Sequence, residues 1–208
     1  NLDGSEGKMC GNAIRCVAKC LYDNDMVKKD ELTIETLSGI KKLKLYFQNG
    51  KVNSATVDMG HAELNPSKIP VKTDGDSIIS RPVKISGKDY DITCVSLGNP
   101  HCVVFMDHLD NLDIDKVGPM FENDPLFPER VNTEFVTVIN RTTLKMRVWE
   151  RGSGETWACG TGACAAAVAA VLNGHCPKNE EITVRLKYPR KSYNPIHRRY
   201  GFHDRQRG

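Results

Sequence analysis

Two short segments of the chain carry residues able to do acid–base chemistry. Met9-Cys10-Gly11-Asn12-Ala13 and Ala158-Cys159-Gly160-Thr161-Gly162 each set a cysteine and a glycine ahead of a run of small and apolar residues. A cysteine at the mouth of a helix sits beside unpaired N–H groups and the positive end of the helix dipole. That position is expected to lower a thiol from its free pKa and favour thiolate. Two such thiols suit the movement of a proton between the faces of one carbon: one thiolate abstracts and the other thiol donates from the far side. The N–H groups of the helix mouths suit a substrate carboxylate and the charge that grows on it, and the glycines let backbone approach closely. For either cysteine alone, a buried small hydrophobe is the competing reading. His101, in Gly98-Asn99-Pro100-His101, offers a competing chemistry as the base of a nucleophilic cysteine. That reading leaves the second cysteine unexplained. No glycine-rich phosphate cradle with a matching lysine points to a pyridoxal site.

The elements that must position these residues follow from periodicity. Ile14, Val17, Ala18 and Leu21 recur at helical spacing, which predicts a helix over 12–23. Strands are predicted at 31–37, 40–48 and 51–58, with Asn49-Gly50 as a hairpin turn. Further strands are read at 78–85, 89–97, 102–106, 134–139, 143–149 and 181–187, with a short helix over 113–121. A small-residue helix spans 161–173 and stops at Asn173-Gly174. Residues 150–160 are glycine-rich and show no period, and no core element is expected after Pro189. The two Cys-Gly copies, each leading a helix and then a strand, read as an internal repeat of two similar halves. The second copy follows a long strand-rich stretch and the first does not, so symmetry calls for roughly 60 further residues ahead of Asn1.

Composition bounds the class. The 208 residues are 39% hydrophobic and 26% charged, which is globular rather than disordered. The net charge of +3 comes from the basic end, where residues 189–208 hold Arg190, Lys191, Arg198, Arg199, Arg205 and Arg207 against Asp204. The remainder is slightly acidic, which argues against a nucleic-acid-binding body. No apolar run is long enough to span a membrane. The eight cysteines lack the paired spacing of a zinc site and read as free thiols of a reducing cytoplasm, with Cys16 and Cys164 facing inward.

The ordered set of Asn1-Leu2-Asp3-Gly4-Ser5, Met9-Cys10-Gly11-Asn12 with Arg15-Cys16, Gly98-Asn99-Pro100-His101, Val131-Asn132-Thr133-Glu134-Phe135 and Glu150-Arg151-Gly152 through Ala158-Cys159-Gly160-Thr161-Gly162 resembles the diaminopimelate epimerases. The resemblance runs over about residues 1–187. Related cofactor-independent racemases and isomerases share the fold, with altered residues where this chain has Cys10-Gly11-Asn12.

The resemblance implies interconversion of LL- and meso-2,6-diaminoheptanedioate, in lysine and peptidoglycan precursor synthesis, with no metal and no pyridoxal phosphate. It implies an α/β (α+β) fold of two pseudo-symmetric domains, each a curved, mostly antiparallel sheet or barrel around a central helix, with the site between them. By this resemblance Cys10 and Cys159 are the acid/base pair. Asn1, Asn99 and Asn132 bind the unreactive end of the substrate. Gly11, Asn12, Gly160 and Thr161 bind the reacting carboxylate, Glu150 and Arg151 hold ammonium and carboxylate groups, and His101 supports the reacting centre. Residue by residue, Asn99 also reads as a turn residue, Asn132 as a loop cap, Glu150 and Arg151 as a solvated pair, and Thr161 as a helix cap. The expected partner is a small diamino dicarboxylic acid, with a homodimer for the full-length protein and neither nucleic acid nor membrane; the expected location is the cytoplasm. Residues 1–90 are read as an incomplete first half-domain, 91–188 as the second, and 189–208 as a basic, disordered or non-native tail. The family's opening glycine-rich strand and closing strands are not recognisable, and Ala13 stands where many members have glycine.

Overall fold

The structure is a computed structural model that describes residues 9–186 and the backbone of 197–201. The chain divides into two compact units, and the described residues pass from one to the other between His61 and Ala62.

In the first unit, helix α1 (Gly11–Asp23) lies against a three-stranded antiparallel sheet of β1 (Glu31–Thr36), β2 (Gly39–Gln48) and β3 (Lys51–Asp58), in the order β1-β2-β3. Alternation in β2 puts Leu43 and Leu45 on one face, where they pack with Met9, Ile14, Ala18 and Val52. Asn49 and Gly50 both take positive φ, 53° and 74°, the pairing a two-residue hairpin demands. Among the described residues only one side of α1 is covered: Val17 is 45% exposed, and Cys16 faces solvent rather than inward as the sequence suggested.

The second unit holds a larger sheet in the order β11-β10-β8-β7-β6-β5-β4. Its strands are β4 (Arg81–Ile85), β5 (Lys88–Ser96), β6 (Pro100–Phe105), β7 (Asn132–Asn140), β8 (Thr143–Glu150), β10 (Glu181–Leu186) and β11 (His197–Gly201). The short β9 (Gly154–Thr156) pairs with the end of β8. Most pairs are antiparallel, while β6–β7 and β8–β10 are parallel. Among the described residues each sheet is an open path rather than a closed barrel.

Both faces of the central strands are covered, which explains their unbroken apolar runs. Ile92, Cys94, Cys102, Val104 and Phe135 join Ile114 and Phe121 of helix α2 (Ile114–Glu122) in one core. Residues of the opposite parity face helix α3 (Gly160–Leu172), as Thr93 does in accepting a hydrogen bond from Asn173 at 2.9 Å. Helix α3 is almost wholly alanine and glycine, is buried on nearly every side, and touches β5, β6, β7, β8 and β10. Small side chains are what allow strands to close around it. It ends at Asn173-Gly174, with Gly174 at φ 73°.

Three expectations differ. The chain divides at 61/62 rather than 90/91, because β5 sits inside the larger sheet and carries β4 with it through the Ser86-Gly87 turn. Residues 150–160 contain β9. Beyond Pro189, His197–Gly201 forms β11 against β10; the rest of 187–208 lies outside the described residues.

Candidate active site

Five elements of the second unit deliver their ends to one point. Cys159 is the N-cap of α3, with extended backbone at φ −108° and ψ 114°. Its Sγ accepts the Gly162 N–H at 3.3 Å and lies 3.3 Å from Thr161 Oγ1. Thr161 is 3% exposed and accepts from Asn99 Nδ2 at 3.2 Å. Asn99 turns its Oδ1 to His101 Nε2 at 3.1 Å, and His101 Nδ1 meets Glu134 Oε1 at 2.7 Å. An unbroken hydrogen-bonded line therefore runs from the buried carboxyl group of Glu134 to the Cys159 sulfur.

Strand geometry explains the line. Asn99 and His101 are two apart at the start of β6, Asn132 and Glu134 are two apart at the start of β7, and two-residue spacing keeps each pair on one face. In the parallel register His101 lies opposite Asn132. Gly162 admits the carboxylate: a Cβ there would lie 2.4 Å from Glu134 Oε1 and 3.2 Å from the Cys159 Cβ.

Burial and charge act on Cys159 against the sequence expectation. Removal from water, then the carboxylates of Glu150 and Glu134, push the thiol well above its ordinary value, and the Thr161 hydroxyl and Gly162 N–H only partly oppose this. The helix mouth is present as predicted, but burial and the two carboxylates act on Cys159 against the thiolate that it favours. Burial also raises Glu134, outweighing the imidazole beside it.

The turn after β8 carries Glu150 and Arg151. Glu150 accepts from the Thr156 hydroxyl, and Arg151 Nη1 donates to Glu129 O at 2.8 Å, so the two do not form the solvated pair considered above. Asn132 ties this turn down: its Oδ1 accepts the Arg151 N–H at 3.0 Å and its Nδ2 donates to Pro100 O at 3.1 Å. Glu122, which the sequence reading missed, holds the same turn from α2. It accepts from Gly152 N at 2.8 Å, Trp149 Nε1 at 2.6 Å and Arg130 Nη1 at 3.1 Å. Glu134 was also missed, although it lies inside a quoted motif. A charged residue beside Phe135 and Val136 in an apolar strand was the available signal.

The first unit holds the other cysteine. Cys10 is the N-cap of α1, exposed, with its carbonyl accepting the Ile14 N–H at 3.0 Å. Gly11 is buried, and Asn12 Oδ1 accepts from Arg15 Nη2 at 2.9 Å. Cys10 thus repeats the position of Cys159, at the head of a helix backed by a sheet. Asn1 lies outside the described residues. Among the described residues no group of three or more His, Cys, Asp or Glu is placed to hold a metal, and no helix is long and apolar enough to cross a membrane.

Comparison with known proteins adds an independent line. Diaminopimelate epimerase from Desulfovibrio desulfuricans is 54% identical over 191 residues, covering 89% of this chain and 67% of that protein. The enzyme of that name from Acetivibrio thermocellus is 56% identical over 186 residues, covering 89% and 66%. The chain thus spans about two thirds of the length of these relatives. Among solved structures, a probable proline racemase from Agrobacterium radiobacter aligns with a TM-score of 0.60 at 14% identity, over 86% of this chain and 56% of that one. A PhzF-family phenazine biosynthesis protein from Bacillus anthracis aligns with a TM-score of 0.58 at 14% identity, over 88% and 64%. At such identity the likeness is one of fold. The diaminopimelate epimerase profile matches residues 1–65 and 93–188, which take in both Cys-Gly helix mouths, and on that match and the identities above the chain belongs to the diaminopimelate epimerase family.

Proposed function

We infer that the chain carries the two-thiol chemistry of its family: cofactor-independent epimerisation of LL-2,6-diaminoheptanedioate to the meso form. One sulfur, as thiolate, takes the α-proton; the other, as thiol, returns a proton to the opposite face. Cys159 is suited to start as the donor, since burial and two carboxylates keep its proton on. When it has given that proton, the Gly162 N–H and the Thr161 hydroxyl are in place to receive the charge. In the reverse direction Cys159 is the base and Cys10 the donor. The N–H groups in the first turns of α1 and α3 suit the reacting carboxylate, whose charge increases as the proton leaves. Asn1, Asn99, Asn132, Glu150 and Arg151 are assigned to the rest of the substrate, and His101 to the support of the reacting centre. For the whole protein we assign sheets curled around each helix, a homodimer and a cytoplasmic location.

The observation that carries this reading is the matched position of Cys10 and Cys159, each capping a helix behind an extended backbone. The test is solvent exchange. The purified chain is incubated with LL-diaminoheptanedioate in deuterium oxide, and α-deuterium is followed by mass spectrometry. Uptake is expected without added cofactor, and C10S and C159S should each stop turnover. Deuterium uptake that survives loss of both thiols would overturn the assignment.

A further inference from the structure

The line from Glu134 to Cys159 has a direction. Asn99 presents its carbonyl oxygen to His101 Nε2, and a carbonyl only accepts, so Nε2 carries a hydrogen. On the other side of the ring, Nδ1 and Glu134 Oε1 are 2.7 Å apart, a distance that requires a proton between them. The pair therefore holds two protons and is neutral as a unit. Neutrality is the inexpensive state here, because both side chains are fully buried and Glu150 adds negative potential. A pair with one proton would bury a net negative charge, while Glu134 Oε2 has no hydrogen-bond partner among the described residues. Beyond Asn99 the polarity continues. The Asn99 amide donates to Thr161 Oγ1, so the hydroxyl hydrogen remains available for donation to the Cys159 sulfur.

We propose that Glu134 is a positioning residue for Cys159: it keeps the second proton on its pair with His101, so that His101, Asn99 and Thr161 all donate towards the sulfur and stabilise its thiolate. This deepens the reading of Cys159 as an acid/base group and rests on it. The groups facing Cys159 are Glu150 from the end of β8, Glu134 from β7, and the Thr161 hydroxyl and Gly162 N–H of its own helix. Those facing Glu134 are His101, Glu150 and the Cys102 and Cys159 thiols. Through space both carboxylates oppose the thiolate, so the proposed action of Glu134 through the line is opposite in sign to its action as a bare charge.

That difference in sign is the test. E134Q keeps the shape that Gly162 accommodates but removes support for two protons. The ring then either keeps Nδ1–H and makes Nε2 an acceptor, which reverses Asn99, or keeps Nε2–H with an amide in place of the shared proton. Both weaken donation to the sulfur. The readout is the rate at which iodoacetamide alkylates Cys159 at one fixed pH, resolved by peptide mass spectrometry. The full chain is compared as wild type, E134Q, T161V and the double variant. E134Q is expected to alkylate about tenfold more slowly, equivalent to about one pH unit in the thiol. T161V should also be slow, and adding E134Q to it should slow alkylation no further. Faster or unchanged alkylation in E134Q, or an undiminished E134Q effect in the T161V background, overturns the proposal. Imidazole nitrogen NMR of the wild type is a second measurement that needs no variant at 134: a protonated Nε2 on His101 supports the line, and a bare Nε2 overturns it. Alkylation involves no turnover, so an inactive chain in the exchange assay and a failed line are separate results.

Discussion

Replacing Gly162 by alanine tests the packing on which the site depends. In an unconstrained helix this change stabilises by up to about 1 kcal/mol through backbone entropy. Here the added Cβ would sit 2.4 Å from Glu134 Oε1 and 3.1 Å from its Cδ, roughly an ångström inside ordinary contact. The carboxylate has nowhere to go: it is fully buried and held at 2.7 Å by His101. Either it turns away and gives up that bond, or the first turn of α3 moves out. An outward shift of an ångström would carry the Cys159 cap with it and break the 3.2 Å Asn99–Thr161 bond. Overpacking costs about 1–3 kcal/mol and one lost hydrogen bond to a charged partner about 1.5–3. Set against the helix gain, the net loss is about 2–5 kcal/mol. Both tryptophans, Trp149 and Trp157, belong to the second unit, so urea unfolding followed by tryptophan emission reports on it directly. A midpoint at or above wild type with unchanged slope would show that α3 does not press on Glu134.

Two further changes follow from the same geometry. G118A in α2 would bring a Cβ to 2.3 Å from the Trp149 ring; a loss of about 1–3 kcal/mol is expected, with a red shift in emission as Trp149 is driven off Glu122. An unshifted spectrum would count against that contact. Stability should also fall above pH 9.0, because burial raises Cys159 and Cys102 well above that ordinary value. The unfolded chain releases these protons while the folded chain keeps them, so each thiol costs about 1.4 kcal/mol per pH unit as pH rises. C102A or C159A should flatten the loss between about pH 9 and 10.5 in urea midpoints; an unchanged slope would contradict the burial argument.

Local signals in the sequence located most elements, because they are local in cause. Asn49-Gly50 dictates its hairpin, and the alanine run makes α3. The division of the chain was not legible in this way. The segments 78–85 and 89–97 read as strands, but nothing local says which sheet a strand joins; that was decided by Ile92 and Cys94 packing against Phe121 and Phe135. Pairing with β8 likewise makes a strand of Gly154–Thr156, which has no period of its own.

The site shows the same limit more sharply. Cys159, Thr161, Asn99 and His101 were legible from short motifs, yet only part of what acts on the Cys159 thiol was legible with them. A helix mouth is a local feature, whereas the carboxylates that oppose it arrive from β7 and β8. Glu134 and Glu122 carry no motif logic of their own. Each is a carboxylate whose partners come from distant segments: Glu134 meets His101 and the helix mouth at Gly162, and Glu122 meets Trp149, Arg130 and Gly152. A buried carboxylate is tolerated only when its charge is shared or its proton kept. Glu122 meets that condition with three donors at its oxygens. Glu134 has one partner oxygen and one empty one, so it must meet the condition by keeping a proton on its pair with His101. That unequal satisfaction ties Glu134 to the chemistry of the sulfur, whereas Glu122 holds only the turn that carries Glu150 and Arg151.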